Sequence, residues 1–284
     1  MVSKVDLHVH STASDGRLSP EEVVRKAAEL GLAVIALADH DSVDGIIPAL
    51  RAAREFPQLK LIPAVEVSTD VPSGEVHILG YFIDYTSVEL AEALARFRNS
   101  RERRAQGMVA KLAKLGIHIE WQRVKELAGD GSIARPHIAQ AMLEKGYISS
   151  IREAFDKYIA RDGPAYVERE KLTPVQAVEL IVQAEGLAVM AHPLTAPDPE
   201  AMIGELKSAG LVGLEAYYDG YTAEEINTLV GLAERHGLIA TGGSDYHGLD
   251  ESDETMMGGV EVPVASAEKL MALAGERALK SAIP

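Results

Sequence analysis

Three short segments gather the residues of this chain that could do chemistry. Asp6-Leu7-His8-Val9-His10-Ser11 is followed by Asp15, and Gly242-Gly243-Ser244-Asp245-Tyr246-His247 shows the same alternate spacing near the other end. On an extended backbone, side chains two residues apart point to the same side, so His8 and His10 can turn both imidazoles on one ion. Ala38-Asp39-His40-Asp41 is the third segment, and Glu66, His77 and His192 are single candidates. The donors are nitrogen and carboxylate oxygen without sulfur, a set that suits zinc, manganese or iron(II). The chain contains no cysteine. Disulfides, thiolate zinc sites and cysteine nucleophiles are therefore excluded.

Such residues need rigid elements to aim them. Val2–Leu7 reads as a short buried strand running into His8. Ser19-Pro20-Glu21-Glu22 is a helix start, with Ser19 as cap, Pro20 in the first turn and acids at the positive end; Gly31 supplies the stop. Leu32–Ala38 is a continuous apolar run, read as a strand buried on both faces. A helix over Asp44–Glu55 and strands at Lys60–Val65 and Glu75–Phe82 follow. Later, helices at Thr173–Glu185, Pro199–Ala209 and Ala223–His236 alternate with strands at Leu187–Ala191, Gly213–Tyr217 and Leu238–Gly242. So many β–α units predict a parallel sheet in a closed or nearly closed barrel. Every candidate except His77 sits at or just past the C-terminal end of a strand, the rim where such barrels carry active sites. The stretch from Val88 to Ala160 is different: amphipathic helical, with Arg96, Arg98, Arg101, Arg103 and Arg104 in one short span. It predicts a helical insertion over 98–164, flanked by barrel segments 1–97 and 165–284.

The 284 residues carry 28 Lys+Arg against 43 Asp+Glu, a formal net charge of −15. That balance argues against a broad cationic surface for duplex nucleic acid or an anionic membrane. No apolar run reaches transmembrane length, and the N-terminus lacks the pattern of a signal peptide, so a cytoplasmic location is expected.

The segments DLHVHSTASDG (6–16), ADHDS (38–42), AVEVS (64–68), AHP (191–193) and GSDYH (243–247) resemble the motifs of the PHP (polymerase and histidinol phosphatase) metallophosphoesterases in order and spacing. ARPHIAQAM (134–142) and FDKYIARDGPAYV (155–167) resemble the insertion of the branch that acts on nucleotide phosphates. The resemblance implies an α/β fold, a distorted (β/α)7 TIM-like barrel with a helical insertion acting as substrate cap. It implies two or three divalent ions (Mn2+, Zn2+ or Fe2+). His8, His10, Glu66 and Asp245 would hold the first; Glu66 would bridge to a second held also by His77 and His192; Asp15, His40 and His247 would hold a third.

The implied reaction is hydrolysis of small phosphate monoesters by a metal-activated water. The expected substrates are nucleotides, either nucleoside 3′,5′-bisphosphates or nucleoside monophosphates. A 5′-3′ exoribonuclease on short oligonucleotides, a histidinol phosphate phosphatase and a non-catalytic metal-binding domain are the alternatives. Asp39, Asp41 and a metal-bound water are candidates for protonating the leaving oxygen; Asp39 equally suits orienting a ligand histidine, and Asp41 capping the following helix. Arg135 and His137 are expected to grip a second phosphate, with Arg101, Arg104 and Lys157 as further contacts. Trp121 is expected to pack in a core, and His118 and His236 to be structural or surface residues.

Overall fold

The computed structural model of the chain describes residues 4–71, 74–129, 133, 135–168, 172–248 and 256–281. Two compact units divide it, residues 1–92 with 172–284, and residues 93–171.

In chain order the first unit opens with β1 (Val5–Val9), α1 (Pro20–Glu29), β2 (Val34–Leu37), α2 (Ile46–Ala53), β3 (Lys60–Val71) and β4 (Gly74–Tyr81). Ser19 caps α1 as expected: its hydroxyl accepts from the Glu22 amide while the Glu22 side chain returns to the Ser19 N–H. β1 and β2 are buried along their whole length, because helices cover one side and the barrel core the other. β1 begins at Val5, later than the apolar run suggested, and residues 1–3 lie outside the described residues.

The chain then enters α3 (Val88–Lys114), followed by α4 (Trp121–Ala128), α5 (Arg135–Glu144), α6 (Ile151–Ala154) and a π-helical turn over Phe155–Ile159. These helices have a core of their own, with Met108, Leu112, Val124, Ile138, Met142 and Ile159 fully buried together and Trp121 packed against them. A separate core is what allows such a segment to be inserted between barrel strands.

The first unit resumes with α7 (Pro174–Gln183), β5 (Leu187–Met190), α8 (Pro199–Ala209), β6 (Leu211–Tyr218), α9 (Ala223–Arg235), β7 (Ile239–Gly243) and α10 (Val264–Ser281). Thr173 and Thr222 each begin a helix with the same reciprocal cap as Ser19. Among the described residues no helix is long and apolar enough to cross a membrane.

The seven strands form one sheet in sequence order. β1, β2 and β3 are parallel, as are β5, β6 and β7, but β4 runs antiparallel to both its neighbours. The expectation of a wholly parallel sheet is corrected here. A parallel crossover needs a dozen or more residues, and the register from Val71 to Gly74 leaves room only for a hairpin. The sheet nearly closes into a barrel. Val9 bridges Tyr246 in parallel, with the His10 N–H donating to the Tyr246 carbonyl at 2.9 Å. A β-carbon at Gly243 would collide with the backbone of His8, so only glycine allows this seam. The buried Asp6 carboxylate fastens it, accepting from the Ser244 amide (2.9 Å) and hydroxyl (2.6 Å) and from the Gly258 amide (2.7 Å).

Candidate metal centre

His8 and His10 leave β1 on one side, their ring centroids 5.1 Å apart. Glu66, on β3, lies between them and three other imidazoles. Its Oε2 is 3.2 Å from His8 Nε2, 3.3 Å from His10 Nε2 and 2.9 Å from His40 Nδ1. Its Oε1 is 2.8 Å from His77 Nδ1 and 3.0 Å from His192 Nε2. Asp245 Oδ1 approaches His8 Nε2 at 3.3 Å and His10 Nε2 at 3.0 Å. Asp15 faces His247 Nε2 at 3.3 Å, His10 Nδ1 at 3.7 Å and His40 Nε2 at 3.8 Å.

The nine side chains expected as ligands thus come together at one rim of the barrel. Three groups have ligating atoms all within 4.8 Å of one another: His8, His10, Glu66 and Asp245; His40, Glu66 and His77; and His10, Asp15, His40 and His247. The first matches the set expected for one ion. The other two differ in detail, since His40 approaches Glu66 and His10 joins the group around Asp15, whereas His192 meets Glu66 Oε1 without joining a group. His77 reaches the same rim from within a strand because β4 is reversed: paired with Ser68, it lies beyond the level of Glu66.

Strain accompanies the site. Asp41, His192 and Asp245 adopt positive φ (48°, 26° and 52°), a region that costs a non-glycine residue about 1–3 kcal/mol. Each follows the end of a parallel strand, β2, β5 or β7, where the chain must turn a side chain back toward the rim.

The donor set fits divalent cations. Among the described residues, His8 Nε2, His10 Nε2, His40 Nδ1, Glu66 Oε2, Asp15 Oδ1 and Asp245 Oδ1 are buried and make no hydrogen bond. They nevertheless crowd one another, so they converge on common points instead of aiming donor at acceptor. Ligands bound at about 2.0–2.2 Å around a tetrahedral or octahedral ion stand roughly 3.0–3.5 Å apart, and the imidazole-to-carboxylate distances among His8, His10, Glu66 and Asp245 are 3.0–3.3 Å. Electrostatics agrees. Burial disfavours charge on His10, yet the Asp245 and Glu66 carboxylates push its pKa up to about 10. Burial would raise Glu66, but His40, His8 and His77 hold it well below the carboxylate range. Asp245 is likewise buried and held low by His8 and His10. Without metal, the neighbouring carboxylates offset the cost of burial and favour protonated His8, His10 and His192.

Asp39 does not touch a ligand histidine. Its Oδ1 accepts from the Ser11 amide (2.8 Å) and Ser14 hydroxyl (2.7 Å), and its Oδ2 from the Ser11 hydroxyl (2.7 Å). Both oxygens are spent on the turn that presents Asp15. Asp39→Ala should therefore lower stability by about 2–3 kcal/mol, since the Ser11 amide and hydroxyl lose their acceptor and Ser14 keeps the longer contact to the Ser11 carbonyl. Urea denaturation measures this. A leaving-group acid would instead show intact stability and a turnover loss of 100-fold or more at neutral pH. Asp41 is not a helix cap, because α2 begins at Ile46 with Gly45 in the cap position and no side-chain cap; the Asp41 Oδ1 accepts from the Ser68 amide at 2.9 Å across to β3.

The residues expected to bind substrate lie in the second unit. Arg135 and His137 open α5, with the Arg135 guanidinium 5.5 Å over the Phe155 ring. Lys157 is paired with Glu153 at 2.7 Å, and Arg104 is buried in α3. The side chain of Arg101 lies outside the described residues. His118 is exposed, and His236 stands 3.6 Å from Glu200 on the surface.

Two contributors escape a motif-based reading. Glu215, fully buried on β6, meets His8 Nδ1 at 3.0 Å and accepts the His192 amide at 2.7 Å. Tyr218 donates its hydroxyl to Asp245 Oδ2 at 2.8 Å. On a regular strand these two positions would face opposite ways. The pairing of β6 with β7 slips by one residue between Glu215 and Tyr217, which brings both to the cluster. The available signal was a lone carboxylate inside a buried strand, a placement that is costly unless partnered.

Comparison with known proteins follows the same lines. The PHP domain family model matches residues 6–168. A 5′-3′ exoribonuclease from Haemophilus influenzae is 37% identical over 251 residues, covering 87% of this chain and 91% of that one. A 3′,5′-nucleoside bisphosphate phosphatase from Chromobacterium violaceum is 35% identical over 262 residues, covering 88% of this chain and 89% of that one. Among solved structures, a chain from Bifidobacterium adolescentis named as a metal-dependent phosphoesterase superposes with a TM-score of 0.81 at 28% identity, covering 94% of this chain and 95% of that one.

Proposed function

The chain belongs to the PHP domain family, with a 3′,5′-nucleoside bisphosphate phosphatase among its relatives, and from that premise we propose that it removes phosphate from small nucleotides, nucleoside 3′,5′-bisphosphates first and nucleoside monophosphates second. The observation that carries the reading is Glu66, whose two carboxylate oxygens stand within 2.8–3.3 Å of five imidazoles. Two or three ions, Mn2+, Zn2+ or Fe2+, would be held by His8, His10, Asp15, His40, Glu66, His77, His192, Asp245 and His247. When bound, such ions lower the pKa of a coordinated water toward neutrality and neutralise phosphoryl oxygens as Lewis acids.

The chain's own groups do the rest. Glu66 holds its imidazoles at fixed spacing; Asp39 fixes the Ser11–Ser14 turn that presents Asp15; Tyr218 turns Asp245 so that Oδ1 faces His8 and His10. Local charge outweighs the acidic whole, since a phosphate monoester of nearly two negative charges meets a cation-lined rim. We assign substrate selection to side chains of the helical unit, with Arg135 and His137 receiving a second phosphate and Arg104, Arg101 and Lys157 supporting. The net charge of −15 disfavours long polymeric substrates. A second reading, trimming of short RNA from the 5′ end, is favoured by the similarity to the Haemophilus influenzae exoribonuclease.

A panel of esters separates these readings. Phosphate release is measured with Mn2+ or Zn2+ from a nucleoside 3′,5′-bisphosphate, a nucleoside monophosphate, histidinol phosphate and a short 5′-phosphorylated RNA. The bisphosphate should turn over with the highest kcat/KM. Mononucleotide release from RNA at a comparable kcat/KM would move the assignment to the exonuclease. Turnover of none, in protein shown to contain metal, would refute the reading.

A further inference from the structure

None of the nine candidate ligands lies on β6, yet two side chains of that strand hold ligands supplied by other strands. Glu215 is the more deeply placed. It is fully buried, and both of its oxygens are committed: Oε1 lies 3.0 Å from His8 Nδ1, and Oε2 accepts the His192 backbone N–H at 2.7 Å. His8 Nε2 faces Glu66 Oε2 and His192 Nε2 faces Glu66 Oε1, and their rings are nearly parallel with centroids 6.1 Å apart.

The chemistry of a carboxylate makes this contact directional. An ionised carboxylate only accepts, so the His8 nitrogen facing Glu215 must carry a proton. In the neutral ring Nε2 is then left with its lone pair, and Nε2 is the atom that faces Glu66 and Asp245. The second oxygen acts on the backbone. His192 sits at φ 26°, ψ 61°, outside the conformations a histidine adopts freely, and this geometry brings its Nε2 to 3.0 Å from Glu66 Oε1. The His192 ring is steadied at its other nitrogen by Thr195 Oγ1 at 3.2 Å. One carboxylate thus sets the protonation of one ligand and the backbone of another.

We propose that Glu215 is a positioning residue of the metal centre, fixing the His8 tautomer and the His192 backbone so that both Nε2 atoms face the ions. The proposal rests on the metal-dependent reading above. Glu215→Gln keeps the shape and removes the logic. A carboxamide has one accepting oxygen, so it cannot receive both the His8 and the His192 protons. Its NH2 either opposes the His192 N–H or donates to His8 Nδ1, driving the His8 proton onto the nitrogen meant for metal. Loss of such an outer partner typically weakens metal binding about 10–100-fold.

The test is calorimetric titration of the metal-stripped full chain with Mn2+ alone, for wild type and Glu215→Gln. The expected result is a Kd raised by about 10–100-fold in the variant, with unchanged far-UV dichroism. A variant Kd equal to that of wild type overturns the proposal, including the case in which only the melting temperature falls. Wild type that takes up no Mn2+ would overturn the metal-dependent reading and this inference with it. The tautomer is also read without any variant, from long-range 1H–15N spectra of the Zn2+-loaded wild type. His8 should carry its proton on Nδ1; a proton on Nε2 overturns the assignment even if Glu215→Gln fails to fold.

Discussion

Glu66→Gln should purify with less than half the metal of wild type and hydrolyse phosphate esters at least about 10³-fold more slowly, a loss near 4 kcal/mol. The reason is geometric. Two oxygens of one side chain serve imidazoles from β1, from the ends of β2 and β5, and from β4, so among the described residues no other is shared by so many partners at the rim. An amide keeps one accepting oxygen and turns N–H donors toward imidazole nitrogens that need a cation or an acceptor. Elemental analysis of dialysed protein and phosphate release measure the two effects. Full metal content together with more than a tenth of wild-type turnover would show that Glu66 bridges nothing.

Removing the metal should have the second largest effect, and it should reach stability as well as turnover. Dialysis against a chelator is expected to abolish phosphate release, and titration with Mn2+ or Zn2+ to restore it. A ligand at 1,000 times its Kd stabilises the folded chain by about 4 kcal/mol. At about 2–4 °C per kcal/mol, the melting temperature should fall by on the order of 10 °C. Metal uptake must also displace protons, because at neutral pH His10, with its pKa pushed up to about 10, is protonated in the metal-free cluster. The sign follows: protons and metal compete for the imidazoles, so apparent metal affinity falls as pH falls. Titrations in buffers of different ionisation enthalpy would register the released protons. Turnover that survives complete chelation would rule out metal-dependent hydrolysis.

The residues of the centre were legible because their positions obey local rules. Alternation along an extended strand puts His8 and His10 on one side whatever the rest of the chain does, and the end of a buried strand is recognisable from an apolar run that stops at a polar residue. His40, His192 and Asp245 stand just past such ends, whereas Glu66, expected after a strand ending at Val65, lies within β3, which runs on to Val71. Ser19, Thr173 and Thr222 announced their helices through equally local chemistry, a hydroxyl followed three residues later by Glu or Gln.

Three features depended on contacts between segments far apart in sequence. The reversal of β4 was concealed because each strand was read by its own composition and the first of the pair was ended at Val65, whereas β3 runs on to Val71 and pairs directly into β4. The roles of Asp39 and Glu215 could not be assigned, since a buried carboxylate is defined by its partners. Ser11 and Ser14 are 28 and 25 residues from Asp39, and His8 is 207 residues from Glu215.

Sequence by itself therefore determined which donors this protein possesses, their pairing along single strands and the rim on which a barrel would gather them, because backbone periodicity and the absence of cysteine act residue by residue. Tertiary structure alone decided which imidazole meets which carboxylate, that a slip in β6 turns Glu215 and Tyr218 inward together, and that His192 is held in a strained turn. Those outcomes depend on barrel closure, strand direction and register, which arise only when all seven strands are paired.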